Sequence, residues 1–185
     1  MHQPIQFPTA VVFDLDYTLW PLWCDTHIAM PLKPVSRSKV IDSEGMEISF
    51  YKDVEHILLD LKEKSIPIVG ASRTATPKIA QKLLSLLQIG DKPAITYFDS
   101  LQWGQGSKVN HIKRAAKDLG LSKDMEKGGF ILFDDEWRNR DVESIGCYFA
   151  YVSDERKGLT HTIYTKELDK WRKSHNKDYL HIGNS

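Results

Sequence analysis

Apolar runs short enough to be buried strands alternate along this chain with segments whose apolar residues recur at helical spacing. The runs are Ala10–Phe13, Ile66–Ala71, Ala94–Phe98, Gly129–Phe133 and Cys147–Val152. Between the first two, Val54, Ile57, Leu58 and Leu61 fall at i, i+3, i+4 and i+7, which predicts a helix with one buried face. Thr76-Pro77 reads as an N-cap followed by proline at the first helical position, opening a helix through Ile79, Leu83 and Leu87. Val109, Ile112, Ala116 and Leu119 mark a further helix, and Gly120 suits the left-handed residue that ends one. A helix also follows the fourth run and ends near Gly146. Strands and helices in this alternation predict an α/β fold, with a mostly parallel, Rossmann-like sheet covered by helices on both faces.

The segment at about 21–50 breaks the rhythm. It lacks sustained periodicity, and only Met46–Phe50 alternates enough to suggest one arm of a small hairpin. The expected organisation is one domain over 1–173 with this short insertion, followed by a polar tail, 174–185, expected to be weakly ordered. Lys166, Lys170, Arg172 and Lys173, interleaved with Glu167 and Asp169, read as a solvated helix face. A length of 185 residues permits a substantial core. Twenty-five basic side chains balance 25 acidic ones, so no strong field favours nucleic acid. The two cysteines, Cys24 and Cys147, are too few for a disulfide framework and fit reduced thiols. There is no apolar run near membrane-spanning length and no signal-peptide pattern, so a cytoplasmic, and also nuclear, location without membrane partners is expected.

The polar residues at the strand ends change the picture from fold to chemistry. Asp14 and Asp16 leave the first strand at i and i+2, so both can address one ligand while Leu15 turns into the core. Two converging carboxylates repel an anion unless a cation lies between them, and Mg²⁺, which prefers carboxylate, water and phosphate oxygens, satisfies that condition. The second strand ends in Ser72-Arg73-Thr74, the fourth in Asp134-Asp135-Glu136, and the helix after the third begins with Gly106-Ser107-Lys108. In a parallel sheet all these groups reach the same edge. Singly, each has a structural reading as well, as a cap, a helix-start acid pair or a solvated lysine.

Together they resemble the haloacid dehalogenase-like (HAD) phosphatase superfamily, whose first motif is D-x-D-x-T/V. Asp14-Leu15-Asp16-Tyr17-Thr18 matches it, Ser72 matches its second motif, Lys108 its third and Asp134-Asp135 its fourth. Leu19-Trp20-Pro21, Trp23, Asp25-Thr26-His27, Ser72-Arg73-Thr74 and Phe133-Asp134-Asp135-Glu136 narrow the resemblance to the magnesium-dependent phosphatases of that superfamily. The resemblance implies Asp14 as the nucleophile that forms an aspartyl-phosphate, and Asp16 as general acid and base. It also implies a Mg²⁺ held by Asp14, Asp16 through its backbone carbonyl, and Asp135, with Asp134 behind them or exchanged with Asp135. Ser72, Arg73, Lys108 and backbone N–H groups near Leu15 and Asp16 are then the phosphoryl-binding groups. Trp20, Trp23 and His27 are either a wall beside the phosphate or packing for their loop, and Cys24 with His27 lacks the second ligand pair that zinc requires.

The insertion is too short for a large cap domain, so an open site is expected. Phosphotyrosine on a protein suits such a site; a small phosphorylated metabolite such as a sugar phosphate, or phosphate binding without useful turnover, are the alternatives.

Overall fold

A five-stranded parallel sheet runs through the computed structural model, which describes residues 4–177. The chain enters it at β1 (Ala10–Phe13) and passes through α1 (Cys24–His27) into a small antiparallel sheet of β2 (Lys33–Ser36), β3 (Lys39–Ile41) and β4 (Glu47–Ile48). It continues through α2 (Val54–Glu63), β5 (Ile68–Ser72) and α3 (Pro77–Leu86). A two-stranded ladder, β6 (Gln88–Ile89) with β7 (Lys92–Pro93), then precedes β8 (Ser100–Trp103). After α4 (Lys108–Asp118) and α5 (Ser122–Glu126) come β9 (Phe130–Asp134), a 3-10 helix at Trp137–Ile145, β10 (Tyr148–Tyr151) and α6 (His161–His175). The order across the large sheet is β10-β9-β1-β5-β8. The chain therefore builds outward from β1 on one side through β5, then returns to its other side at β9. That reversal opens a crevice at the carboxyl end of β1, where α/β sheets bind ligands.

The period-2 pleat of the strands divides the core into two layers. Val11, Phe13, Ile68, Ile131 and Phe133 pack with Ile57, Leu61, Leu83 and Trp171 from α2, α3 and α6. Ala10, Val12, Val69, Phe130 and Leu132 face the other way, against Ile112 and Ala116 of α4 and Met125 of α5. Because both faces are covered, the central strands read as continuous apolar runs.

Two expectations are corrected. Ala94–Phe98 is not the third strand: Ala94–Tyr97 is a 3-10 turn, and the strand lies just beyond, at Ser100–Trp103. Ala94 and Tyr97 are buried three residues apart, which matches a 3-10 period. The true strand is an edge, paired with β5 only, and polar enough to escape a hydrophobicity reading. The hairpin arm expected at Met46–Phe50 is present as β4, which pairs antiparallel with β3 as the last strand of the small sheet. The tail is ordered further than expected, since α6 reaches His175 and Asn176 clasps the N-terminal segment. Its Nδ2 donates to the Ile5 carbonyl at 2.9 Å and its Oδ1 accepts the Ile5 N–H at 3.1 Å. The rest of the predicted weak tail, from residue 178, lies outside the described residues. The polar face of α6 is as expected, with Lys173 and Arg172 both beside Asp169. No large cap stands over the crevice: between β1 and α2 the regular structure is one four-residue helix and the small sheet.

Candidate active site

The loop after β1 is shaped by its own backbone. The Asp14 N–H donates to the Phe133 carbonyl at 3.0 Å, which keeps the chain in register with β9 one residue beyond the strand. The Leu15 carbonyl then accepts the Thr18 and Leu19 N–H groups, at 3.1 and 2.8 Å, so the chain reverses immediately. The reversal sets Tyr17 at φ 57, a left-handed value uncommon outside glycine. Leu15 is buried, and Asp14 and Asp16 flank it at the rim of a cavity of about 220 Å³. Ser72, Arg73, Thr74, Lys108, Asn139 and Trp23 also line this cavity.

Lys108 joins α4 to this rim. Ser107 caps the helix by accepting the Val109 N–H at 3.1 Å. A lysine in the first turn faces the positive end of the helix dipole, so the helix alone does not account for its position. Carboxylates do: its Nζ lies 2.7 Å from Asp14 Oδ1 and 3.2 Å from Asp134 Oδ2, and it also donates to the Ala71 carbonyl. Burial opposes the charge on Lys108, yet Asp14 and Asp134 outweigh it and hold the ammonium above its usual range.

The two acids after β9 differ in what holds them. Asp134 is fully buried; Oδ1 accepts the Glu136 N–H at 2.8 Å, and Oδ2 accepts from Asn139 Nδ2 at 3.0 Å as well as facing Lys108. Burial and then the Asp14 charge push Asp134 up to about 6. Asp135 has a buried Oδ1 with no hydrogen-bond partner, and burial, followed by its closeness to Asp14, pushes it up to about 9. One oxygen from each of Asp14, Asp134 and Asp135 falls within 4.8 Å of the others. Lys108 pairs with only two of these three clustered carboxyls, so ionising all of them is disfavoured unless a further cation joins them. The chemistry of this donor set, hard oxygens with one orphaned, fits a divalent cation such as Mg²⁺. Asp134 already has acceptor roles on both oxygens, whereas Asp135 has an oxygen to offer.

Asp16 stands apart from that trio. Its Oδ1 accepts from Trp20 Nε1 at 2.7 Å and from the Cys24 N–H at 3.3 Å, and burial holds its carboxyl above the usual range. Ser72 is buried with its Oγ accepting the Thr74 N–H at 3.2 Å, and Arg73 donates from Nη1 to Asn139 Oδ1 at 3.1 Å. The two tryptophans of the loop separate cleanly. Trp20 is fully buried and stacks on Phe50, while Trp23 is 45% exposed, lines the cavity and stacks on His27. His27 is behind Trp23, its Nδ1 accepting the Trp23 N–H, and Cys24 is a buried free thiol. Sequence reasoning missed Asn139, which bridges Arg73 to Asp134; a lone asparagine four residues after an acid pair carries no signal of its own. Thr18 and Asp25, named there only as motif positions, gain roles here: the Thr18 hydroxyl donates to Asp14 Oδ2 at 3.4 Å, and Asp25 accepts the Ala75 N–H and ties α1 to the loop after β5.

Known proteins resemble this chain over nearly its whole length. The Acid Phosphatase family profile matches residues 6–174. The Saccharomyces cerevisiae protein YER134C is 40% identical over 171 residues, covering 88% of this chain and 96% of its own. Human magnesium-dependent phosphatase 1 is 36% identical over 170 residues, covering 91% of this chain and 90% of its own. Among solved structures, a HAD-superfamily hydrolase from Ehrlichia chaffeensis superposes with a TM-score of 0.58 over 90% of this chain and 98% of its own. At 15% identity that likeness speaks for the fold alone. Profile, relatives and the parallel sheet with its acidic carboxyl edge agree: the chain belongs to the acid phosphatase family, built on the haloacid dehalogenase-like fold.

Proposed function

We propose that the protein is a magnesium-dependent phosphomonoester hydrolase in which Asp14 is the nucleophile. The observation that carries this reading is the meeting of Asp14, Asp134 and Asp135 beside the buried Lys108, with Asp135 Oδ1 unpartnered, at the end of β1. Asp14 and Asp135, with the backbone carbonyl of Asp16, hold the metal, and Asp134 supports them while fixing Lys108. Bound there, Mg²⁺ supplies positive charge that lets a phosphate dianion approach ionised carboxylates.

The side chains then divide the work. Ser72, Arg73, Lys108 and the backbone N–H groups near Leu15 and Asp16 receive the phosphoryl oxygens, so that the phosphorus faces an Asp14 oxygen. Asp14 attacks, and the proton of Asp16 passes to the departing oxygen. Water then attacks the aspartyl-phosphate and returns a proton to Asp16, releasing inorganic phosphate and the Asp14 carboxylate.

The open rim supports a bulky substrate. Trp23 presents an exposed indole at the mouth, which favours an aromatic phosphoester, and we assign phosphotyrosine on a protein as the substrate class ahead of a sugar phosphate. Hydrolysis of p-nitrophenyl phosphate and of a phosphotyrosine peptide, with Mg²⁺ or EDTA and beside Asp14→Asn, tests the reading. Mg²⁺-dependent turnover that Asp14→Asn abolishes is expected; a parent without turnover, or a mutant that retains it, overturns the covalent mechanism.

A further inference from the structure

Trp20 is fully buried, yet its one polar atom is spent on Asp16. The loop explains how they meet: the Tyr17 N–H donates to the Trp20 carbonyl at 2.8 Å, closing a turn that brings residue 20 back over residue 16. The indole is then clamped from behind by Phe50, its ring 5.9 Å away and nearly parallel. Phe50 follows β4, and the adjoining Tyr51 N–H donates to the Leu19 carbonyl at 2.9 Å, so the small antiparallel sheet braces the same loop.

The consequence for Asp16 is an asymmetry between its two oxygens. Both N–H donors, Trp20 Nε1 and the Cys24 N–H, arrive at Oδ1. Among the described residues no N–H reaches Oδ2; the Cys24 thiol beside this carboxyl is a further, weak donor, and Asp16 lines the cavity. An oxygen that already accepts two N–H bonds is a poor seat for a proton, whereas one that no N–H reaches is available to carry it. We propose that Trp20 is a positioning residue for proton transfer: its indole N–H fixes the Asp16 rotamer and reserves Oδ2 as the oxygen that exchanges the proton. The inference rests on the reading of Asp16 as general acid and base. In the first step the Asp14 oxygen–phosphorus bond forms as the bond to the leaving oxygen breaks, and that oxygen takes the proton from Oδ2. In the second step a water oxygen bonds to phosphorus, the acyl phosphate bond breaks, and the water proton returns to Oδ2.

Trp20→Phe keeps the ring and its stack on Phe50 but deletes the donor. Its effect is therefore graded by how much the leaving group needs a proton. For a poor leaving group such as phenyl phosphate, kcat/KM is expected to fall about tenfold to a hundredfold, the scale of a hydrogen bond to a charged group. With 2,4-dinitrophenyl phosphate, which departs without help, the fall stays within about threefold by the same reasoning. Asp16→Asn should produce the same grading, and adding Trp20→Phe to it should cost little more, because both act through one proton. Phe50→Leu, which loosens the stack but leaves the N–H, should move all substrates alike. Uniform loss across the substrates in Trp20→Phe, or full additivity with Asp16→Asn, overturns the assignment. If Asp16→Asn itself shows no grading, the acid role of Asp16 fails, and the positioning role with it. A second readout serves where Trp20→Phe does not fold: the Trp20 indole N–H resonance, assigned in the wild-type protein, should shift upfield in Asp16→Asn, and an unmoved resonance refutes the contact.

Discussion

Replacing Lys108 by methionine removes the one cation buried among Asp14 and Asp134, and its cost can be reasoned from the contacts. The ammonium is 1% exposed, with ion-pair distances of 2.7 and 3.2 Å and a third bond to the Ala71 carbonyl. At an effective dielectric near 20, each pair is worth about 5–6 kcal/mol of attraction. Desolvation of the three charges offsets much of that in the intact protein, but the mutant keeps the buried acids and loses the compensation. Breaking a buried pair from one side typically costs about 3–5 kcal/mol. For a domain of this size that is a fall in Tm of roughly 6–20 °C. Thermal unfolding by circular dichroism at pH 7.5 in EDTA measures it. The loss should shrink near pH 5, because Asp134 titrates at about 6 and a protonated acid no longer needs the lysine. It should shrink also in the double variant Lys108→Met/Asp134→Asn, which removes charges from both sides. A fall of under about 2 °C at pH 7.5, far below the range expected for a broken buried pair, would refute the claim that Lys108 holds this acid cluster together.

Metal binding should be coupled to protons. Asp135 is raised to about 9, so the metal-free native state holds a proton at neutral pH that the unfolded chain has released. Stability of the metal-free protein should therefore decline as pH rises toward 9, while Mg²⁺ affinity climbs by up to about tenfold per unit, with close to one proton released; calorimetry in buffers of different ionisation enthalpy reads both. Trp23→Ala should raise KM for a phosphotyrosine peptide by about two- to tenfold, the value of one aromatic contact, and leave inorganic phosphate inhibition unchanged in steady-state assays. Gly158→Ala should destabilise the fold by about 2–4 kcal/mol in urea unfolding, since its φ is +54 and a Cβ there would lie 2.1 Å from the Tyr51 ring.

The acid pair Asp14 and Asp16, the hydroxyl and arginine after β5, Lys108 and the Asp134-Asp135 pair are all legible in the sequence, because each sits at the end of an element whose periodicity is strong. A parallel sheet turns such positions in sequence into neighbours in space. Ala94–Phe98 misleads for the opposite reason: β-branched and aromatic residues promise a strand, but burial at three-residue spacing makes a 3-10 turn, and the strand beside it is polar because it is an edge. The ordered end of α6 is hidden too, since Asn176 gains its partners only from Ile5 at the other end of the chain.

Local pattern is enough to set the α/β class, the edge of the sheet that carries the chemistry, and the residue types gathered there. These follow from period and from right-handed strand connections, which leave few alternatives. The division of roles among equivalent residues comes from the folded arrangement instead. Asp134 and Asp135 are adjacent and chemically alike, yet one is saturated by Glu136, Asn139 and Lys108 while the other keeps an empty oxygen. Trp20 and Trp23 are neighbours in one loop, yet one is buried against Asp16 and the other is exposed at the rim. Such differences depend on which donors arrive from distant elements and on what each side chain is sealed against, and that information exists only once the chain has folded.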